Sequence, residues 1–183
     1  MERAMRTDRP LHIDFQGLLV GGQYIESPNC DDRPPGAIEL LVIHNISLPP
    51  GEFGGGGVQR LFTNTLDAAA HPYYATIAGL KVSAHFFVRR DGEIVQFVPC
   101  LKRAWHAGES FFKGRTNSND FSIGVELEGT DALAYENVQY HQLSAIIKVL
   151  CKTYPAITID RIIGHATIAP HRKTDPGPYF NWD

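Results

Sequence analysis

Hydrophobic and polar positions alternate most strictly over residues 121–128, where Phe121, Ile123, Val125 and Leu127 fall on one side and Ser122, Gly124, Glu126 and Glu128 on the other. That period of two predicts a strand with one apolar face. Residues 38–43 are nearly continuous in apolar side chains, as in a strand covered on both faces, and the run stops at His44. Residues 82–88 and 94–98 flank Asp91-Gly92, a hairpin signal. Short strands are expected at 18–20 and 104–108. Helical spacing of Val58, Leu61, Phe62 and Leu66 predicts a short helix broken at His71-Pro72. Leu143, Ile146, Ile147, Leu150 and Tyr154 mark a long helix over 137–154 that Pro155 ends. Ile159, Ile162 and Ile163 then lead into Gly164-His165 and a proline-stiffened stretch to Pro178. With no internal repeat or linker, the pattern predicts an α/β fold, one domain with a mixed central sheet flanked by helices. Residues 1–26 read as an N-terminal segment packed on a 27–183 catalytic domain.

Composition narrows the function classes. The 183 residues, 43% hydrophobic and 20% charged, suit one soluble domain. A net charge of −3 offers no footprint for nucleic acid or an acidic membrane surface, and no basic run is interleaved with aromatics. No apolar stretch approaches the roughly 20 residues that span a bilayer. The first ten residues lack the apolar core of a signal peptide, and the three cysteines have no metal-like spacing. The expectation is a cytoplasmic monomer with reduced thiols. The glycine run 54–57 lacks the Gly-Lys-Ser/Thr ending of a phosphate loop and reads as a mobile loop ahead of a helix.

Among eight histidines, His44 and His165 each follow an apolar run and open a proline-bearing loop. His12, His141 and His171 read as surface residues, His71 as part of a turn and His85 as a packed core histidine. His106, beside Trp105 and Gly108, is placed to line a cleft. Two neutral imidazoles and a carboxylate are a recurrent catalytic zinc set. Asp175 lies ten residues beyond His165, a distance that Pro170 and Pro176 can fold back. Glu126, turned from the apolar face, is a candidate general base, and Lys173 a cation carried close to the metal. Gly124 leaves room beside Glu126, as for a ligand or another chain.

Longer blocks sharpen this picture. Leu41-Val42-Ile43-His44-Asn45-Ile46-Ser47-Leu48-Pro49-Pro50-Gly51 resembles the AmpD family of bacterial 1,6-anhydro-N-acetylmuramyl-L-alanine amidases. So do Val82-Ser83-Ala84-His85-Phe86, Arg103-Ala104-Trp105-His106-Ala107-Gly108, residues 119–131, Gly164-His165 and Arg172-Lys173-Thr174-Asp175-Pro176-Gly177. The resemblance implies the fold of zinc amidases related to phage T7 lysozyme and to peptidoglycan recognition proteins. It implies one Zn²⁺ held by His44, His165 and Asp175, with Glu126 as base and Lys173 facing the oxyanion. The implied substrate is an anhydro-muropeptide, cut at the lactyl amide during cell-wall recycling. An exported amidase on intact peptidoglycan and a non-catalytic peptidoglycan-binding module are the alternatives. Substrate contacts are assigned to Asn45, Lys81, Trp105, His106 and Arg115. Lys81 and Asn117 stand where relatives carry arginine; Lys81 keeps the charge without the planar fork, and Arg115 is read as compensating.

Overall fold

The structure, a computed structural model, describes residues 11–183; residues 1–10, where the targeting expectation falls, lie outside the described residues. Its centre is a mixed six-stranded sheet in the order Ile162–Gly164, Leu40–Ile46, Ser122–Glu128, Phe86–Val88, Ile94–Gln96, Gln23–Tyr24. The first four strands run parallel, Phe86–Val88 and Ile94–Gln96 form the antiparallel hairpin expected at Asp91-Gly92, and Gln23–Tyr24 closes the far edge. Of residues 11–26, Gln23–Tyr24 thus belong to the sheet, His12–Ile13 and Leu19–Val20 pair with each other as a separate ribbon, and Leu19 joins the core with Ile13 packed against it.

One face of the sheet carries Leu41, Ile43, Ile123, Val125 and Leu127 under Leu143, Ile146 and Leu150 of the long helix Asn137–Thr153. Burial of each such side chain contributes about 1.5–3 kcal/mol, so this face anchors the domain. Gln139 fastens the helix: its side-chain amide donates to the carbonyls of Val88 and Glu128, at 3.2 and 3.1 Å, while its oxygen accepts the Glu136 N–H. The opposite face carries Leu40, Val42, Phe112, Phe121 and Ile168 toward one end. Phe87, Val95 and Phe97 cover the remainder with Val58, Leu61, Phe62 and Tyr74.

Several expectations need correction. Phe121 has ψ of 12° as it leaves the short 3-10 turn Ser118–Asp120, so the alternation begins at Ser122 and Phe121 joins the opposite face from Ile123. His71-Pro72 starts a second helix, Pro72–Ile77, rather than only breaking the first. Proline suits the first helical position because its missing donor is not needed there, and His71 Nδ1 accepts the Tyr73 N–H at 3.1 Å. The strand expected at 104–108 lies at Lys102–Ala104, paired with Cys30–Asp32. The glycine run is pinned rather than loose. Gly54 N–H donates to the Glu128 carboxylate at 2.6 Å, and Arg89 donates to the carbonyls of Gly54 and Gly55. A Cβ on Gly57 would stand 2.4 Å from the Leu48 carbonyl oxygen.

Candidate metal centre and cleft

Parallel register brings the site together. His44 lies directly opposite Glu126 on the adjacent strand, both on the face away from the long helix. Gly164 lies opposite Ile43, so His165, the next residue, begins the short helix His165–Ile168 beside His44. The chain then returns: the Ala166 N–H donates to the Asp175 carbonyl at 3.0 Å. Gly164 permits this return, because a Cβ there would meet Pro176 Cδ at 2.7 Å. Asn45 holds the far side of the loop, donating to Asp131 Oδ1 at 2.7 Å and to the Pro176 carbonyl at 3.1 Å. The Tyr135 hydroxyl donates to the same carbonyl, and the Thr174 hydroxyl to Asp131.

Three ligand atoms converge there. His44 Nδ1 and His165 Nδ1 are 3.0 Å apart, and Asp175 Oδ2 is 3.0 and 3.1 Å from them. A tetrahedral zinc with bonds of about 2.0–2.1 Å has ligand edges of about 3.3–3.4 Å, so a few tenths of an ångström separate this triangle from a metal's first shell. His165 Nε2 faces the Ala107 carbonyl at 3.0 Å. A carbonyl only accepts, so this assigns the hydrogen to Nε2 and leaves a lone pair on Nδ1. Burial pushes His44 down to about 4, so it is neutral near pH 7. Burial opposes ionisation of Asp175, but the facing His165 and His44 rings outweigh it and hold its carboxyl well below the usual carboxylate range. Two imidazoles beside an ionised carboxylate suit a borderline divalent cation such as zinc. Among the described residues this is the group of histidine, cysteine and acidic side chains close enough to share an ion.

Glu126 stands beside this triangle, 8% exposed, with Oε2 buried and without a hydrogen-bond partner among the described residues. Burial first, then the Asp175 charge, pushes its carboxyl well above the usual range, and Lys173 acts in the opposite sense. A carboxyl so perturbed, in a cleft beside a ligand set, has the properties of a proton-transfer group. Lys173, half-buried, lines the same cleft of about 700 Å³. Its walls include Trp105, Tyr73, Ile77 and Leu80, the last 50% exposed. The cleft is therefore polar at its floor and apolar along one side.

The remaining sequence candidates sort unevenly. Trp105, His106 and Asn45 all line the cleft, but the Asn45 amide is spent on Asp131 and Pro176. Lys81 is exposed between the wall residues Leu80 and Val82 and is outside the lining set. Arg115 does not reach the cleft. It pairs with Glu39 and stacks on Phe121 at 3.8 Å, at the amino end of the His44 strand. Glu39 and His44 are five residue steps apart along extended chain, about 16 Å. Asn117 adopts φ of +56°, a left-handed conformation that asparagine tolerates better than arginine. The space beside Gly124 is filled by His106, whose Cγ would lie 2.5 Å from an added Cβ, and not by a ligand or a distant chain. His85 is fully buried and accepts the Gly124 N–H on Nδ1 at 3.0 Å, as a packed histidine should. His171 and His141 are exposed. Arg172 escaped sequence reading: it donates to the carbonyls of Ala107 and Glu109 and lines the cleft one residue before Lys173. Its signals were that adjacency and its place in the block Arg172–Gly177.

Residues 34–178 match the family model described as N-acetylmuramoyl-L-alanine amidase, Amidase_2. The chain is 59% identical over 168 residues to the 1,6-anhydro-N-acetylmuramyl-L-alanine amidase AmpD of Escherichia coli (strain K12), covering 91% of each. Over 169 residues it is 51% identical to the AmpD of Haemophilus influenzae, covering 92% of each. A crystal structure of a selenomethionine AmpD derivative superposes with a TM-score of 0.89 at 58% identity, covering 91% of this chain and 93% of that one. A complex of the E. coli amidase AmiD with anhydro-N-acetylmuramic acid-L-Ala-D-γ-Glu-L-Lys gives 0.58 at 28% identity, covering 94% of this chain and 63% of that one. A parallel sheet that sets two histidines and a glutamate side by side, under a match of this length, leaves one assignment: the chain belongs to the N-acetylmuramoyl-L-alanine amidase family, and within it to the AmpD family.

Proposed function

We propose that this protein is a zinc-dependent hydrolase of the amide between the lactyl group of 1,6-anhydro-N-acetylmuramic acid and L-alanine, acting on cell-wall fragments. The observation that carries the proposal is Glu126 in register with His44, beside the converging His44, His165 and Asp175 atoms, at the floor of one cleft. The substrate class rests on the names of the relatives and on the anhydro-muramyl peptide in the AmiD complex. His44, His165 and Asp175 would hold the zinc, which when bound acidifies water and polarises a carbonyl.

The chain's own residues complete the chemistry. Glu126 takes the proton of the attacking water and returns it to the leaving alanine nitrogen. Its raised affinity for a proton suits the second of these steps, and the carboxylate form suits the first. Lys173 faces the developing oxyanion, a role typically worth about 10²–10³ in rate. Trp105, Tyr73 and Leu80 offer apolar surface to the sugar. Lys81, exposed next to Leu80 in the chain, is assigned to the anionic stem peptide. We assign the catalytic unit to one domain that includes residues 11–26, acting as a monomer in the cytoplasm on recycled fragments. Among the described residues no helix is long and apolar enough to cross a membrane.

Metal-quantified protein incubated with anhydro-muramyl tripeptide, with the reducing muramyl tripeptide and with intact peptidoglycan tests this, with products followed by mass spectrometry. Release of free tripeptide and 1,6-anhydro-N-acetylmuramic acid from the first substrate is expected. Cleavage of none of the three with zinc bound would overturn the proposal in favour of a binding module. Preference for intact peptidoglycan would overturn the recycling role.

A further inference from the structure

The two candidate zinc histidines are held differently. His165 uses the common arrangement, its Nε2–H donating to a backbone carbonyl, that of Ala107. Among the described residues His44 has no carbonyl or carboxylate hydrogen-bonded to its Nε2. Its Nε2 lies 2.9 Å from His106 Nδ1, and His106 Nε2 lies 3.1 Å from the Ser122 hydroxyl. The two ring planes are 87° apart, with centroids 5.0 Å apart.

The chain spends several features on keeping His106 there. Gly124 gives up its side chain so that the ring can lie over the Glu126 strand. The backbone N–H groups of His106 and Ala107 both donate to Asn119 Oδ1, at 3.1 and 2.8 Å. Ser122 is fully buried, on the same strand as Glu126 and two residues before Gly124.

We propose that His106 is a positioning residue whose Nδ1 accepts the Nε2 hydrogen of His44 and so leaves His44 Nδ1 bare toward the metal. This rests on the zinc reading above. A metal-ligating imidazole must present a lone pair, and in a neutral ring the nitrogen that keeps the hydrogen is decided by what the other one faces. In this arrangement His106 carries its own hydrogen on Nε2 and donates it to Ser122 Oγ. The opposite arrangement puts a hydrogen on His44 Nδ1, donated to Asp175 Oδ2, with His106 donating to His44 Nε2 and the Ser122 hydroxyl donating to His106 Nε2. Each ring holds one hydrogen in both cases, so the charge of the site does not change between them. A hydroxyl can donate or accept, and Ser122 therefore serves both. A carboxylate in place of His106 would add a buried negative charge; a second imidazole orients His44 without one.

Zinc affinity by chelator competition, together with ¹⁵N NMR of the imidazoles, tests this. In the zinc-loaded wild type His44 and His106 should both carry hydrogen on Nε2. H106N places Oδ1 near the Nδ1 position and should keep zinc affinity within a few-fold. H106L, with no acceptor, should lose about 10–100-fold. A purely packing role would lower both variants together. Hydrogen on His106 Nδ1 in the zinc-loaded protein, or wild-type affinity in H106L, would overturn the proposal. If H106L does not fold, the wild-type NMR result decides alone. A wild type that binds no zinc would overturn the functional reading as well, and that is seen before any substitution is made.

Discussion

Gly124→Ala isolates the packing on which the site depends. The added methyl would lie 2.5, 2.6 and 2.8 Å from Cγ, Nδ1 and Cδ2 of His106, whereas ordinary contact begins near 3.4 Å. The ring must retreat by about 1 Å. That stretches its contacts to His44 and Ser122, now 2.9 and 3.1 Å, beyond hydrogen-bond reach. Losing two such bonds costs about 1 kcal/mol each, and forcing a methyl into a filled interior costs a further 1–3 kcal/mol or so. Gly124 lies in ordinary strand conformation, so the substitution recovers about 0.4–1 kcal/mol from the unfolded chain. The net destabilisation is about 3 kcal/mol, a fall in Tm of about 6–12 °C for a chain of this size. Calorimetry of Gly124→Ala, His106→Ala and the double variant measures it. Because the double variant makes room for the methyl, its loss should be smaller than that of the two single variants together, by more than about 1 kcal/mol. A Gly124→Ala protein within 0.5 kcal/mol or so of wild type, or strictly additive losses, would refute the reasoning.

Asn45→Ala removes two donated bonds that tether the Asp175 loop and should cost about 1–3 kcal/mol in urea unfolding, with weaker zinc binding by chelator competition. Unchanged zinc affinity would mean that the tether is idle. In the metal-free protein the Glu126 carboxyl is raised above its unfolded value by burial, so its contribution is fully present below about pH 4.3 and is lost as pH rises through the folded value. His44, pushed down to about 4, pulls the opposite way as pH rises toward 6.5, so the check is the difference in urea midpoint between wild type and Glu126→Gln across pH. That difference should turn in favour of the variant as pH increases; a flat difference contradicts the burial argument. Arg115→Ala should leave kcat/KM unchanged, because Arg115 belongs to Glu39 and Phe121 at the far end of the strand. A marked rise in KM would return it to the substrate site.

The alternation over 122–128 and the apolar run ending at His44 were legible because each strand follows from its own side chains. The register between them was not. Which residue of one parallel strand faces which of another depends on packing across the sheet, and only the fold places Glu126 beside His44. Gly124 announced a close approach without naming its cause; the ring that fills the space comes from a loop 18 residues earlier in the chain. Arg115 was misplaced for a similar reason. The short hairpin Phe111–Phe112 and Arg115–Thr116 turns its charge toward the amino end of the sheet, a direction that no local pattern encodes. Pro72 misled because proline both ends and begins helices, and the deciding group is the His71 ring that caps the new one.

The central claim is that one zinc, held by His44, His165 and Asp175, is needed for amide hydrolysis beside Glu126. Titrating zinc into chelator-stripped protein, with bound metal and release of peptide from anhydro-muramyl tripeptide read on the same samples, tests it most directly. Activity should rise in proportion to bound zinc and saturate at one equivalent per chain, and His165→Ala should lose the metal and the activity together. Full turnover in the stripped protein, or an undiminished equivalent of zinc in His165→Ala, would contradict it.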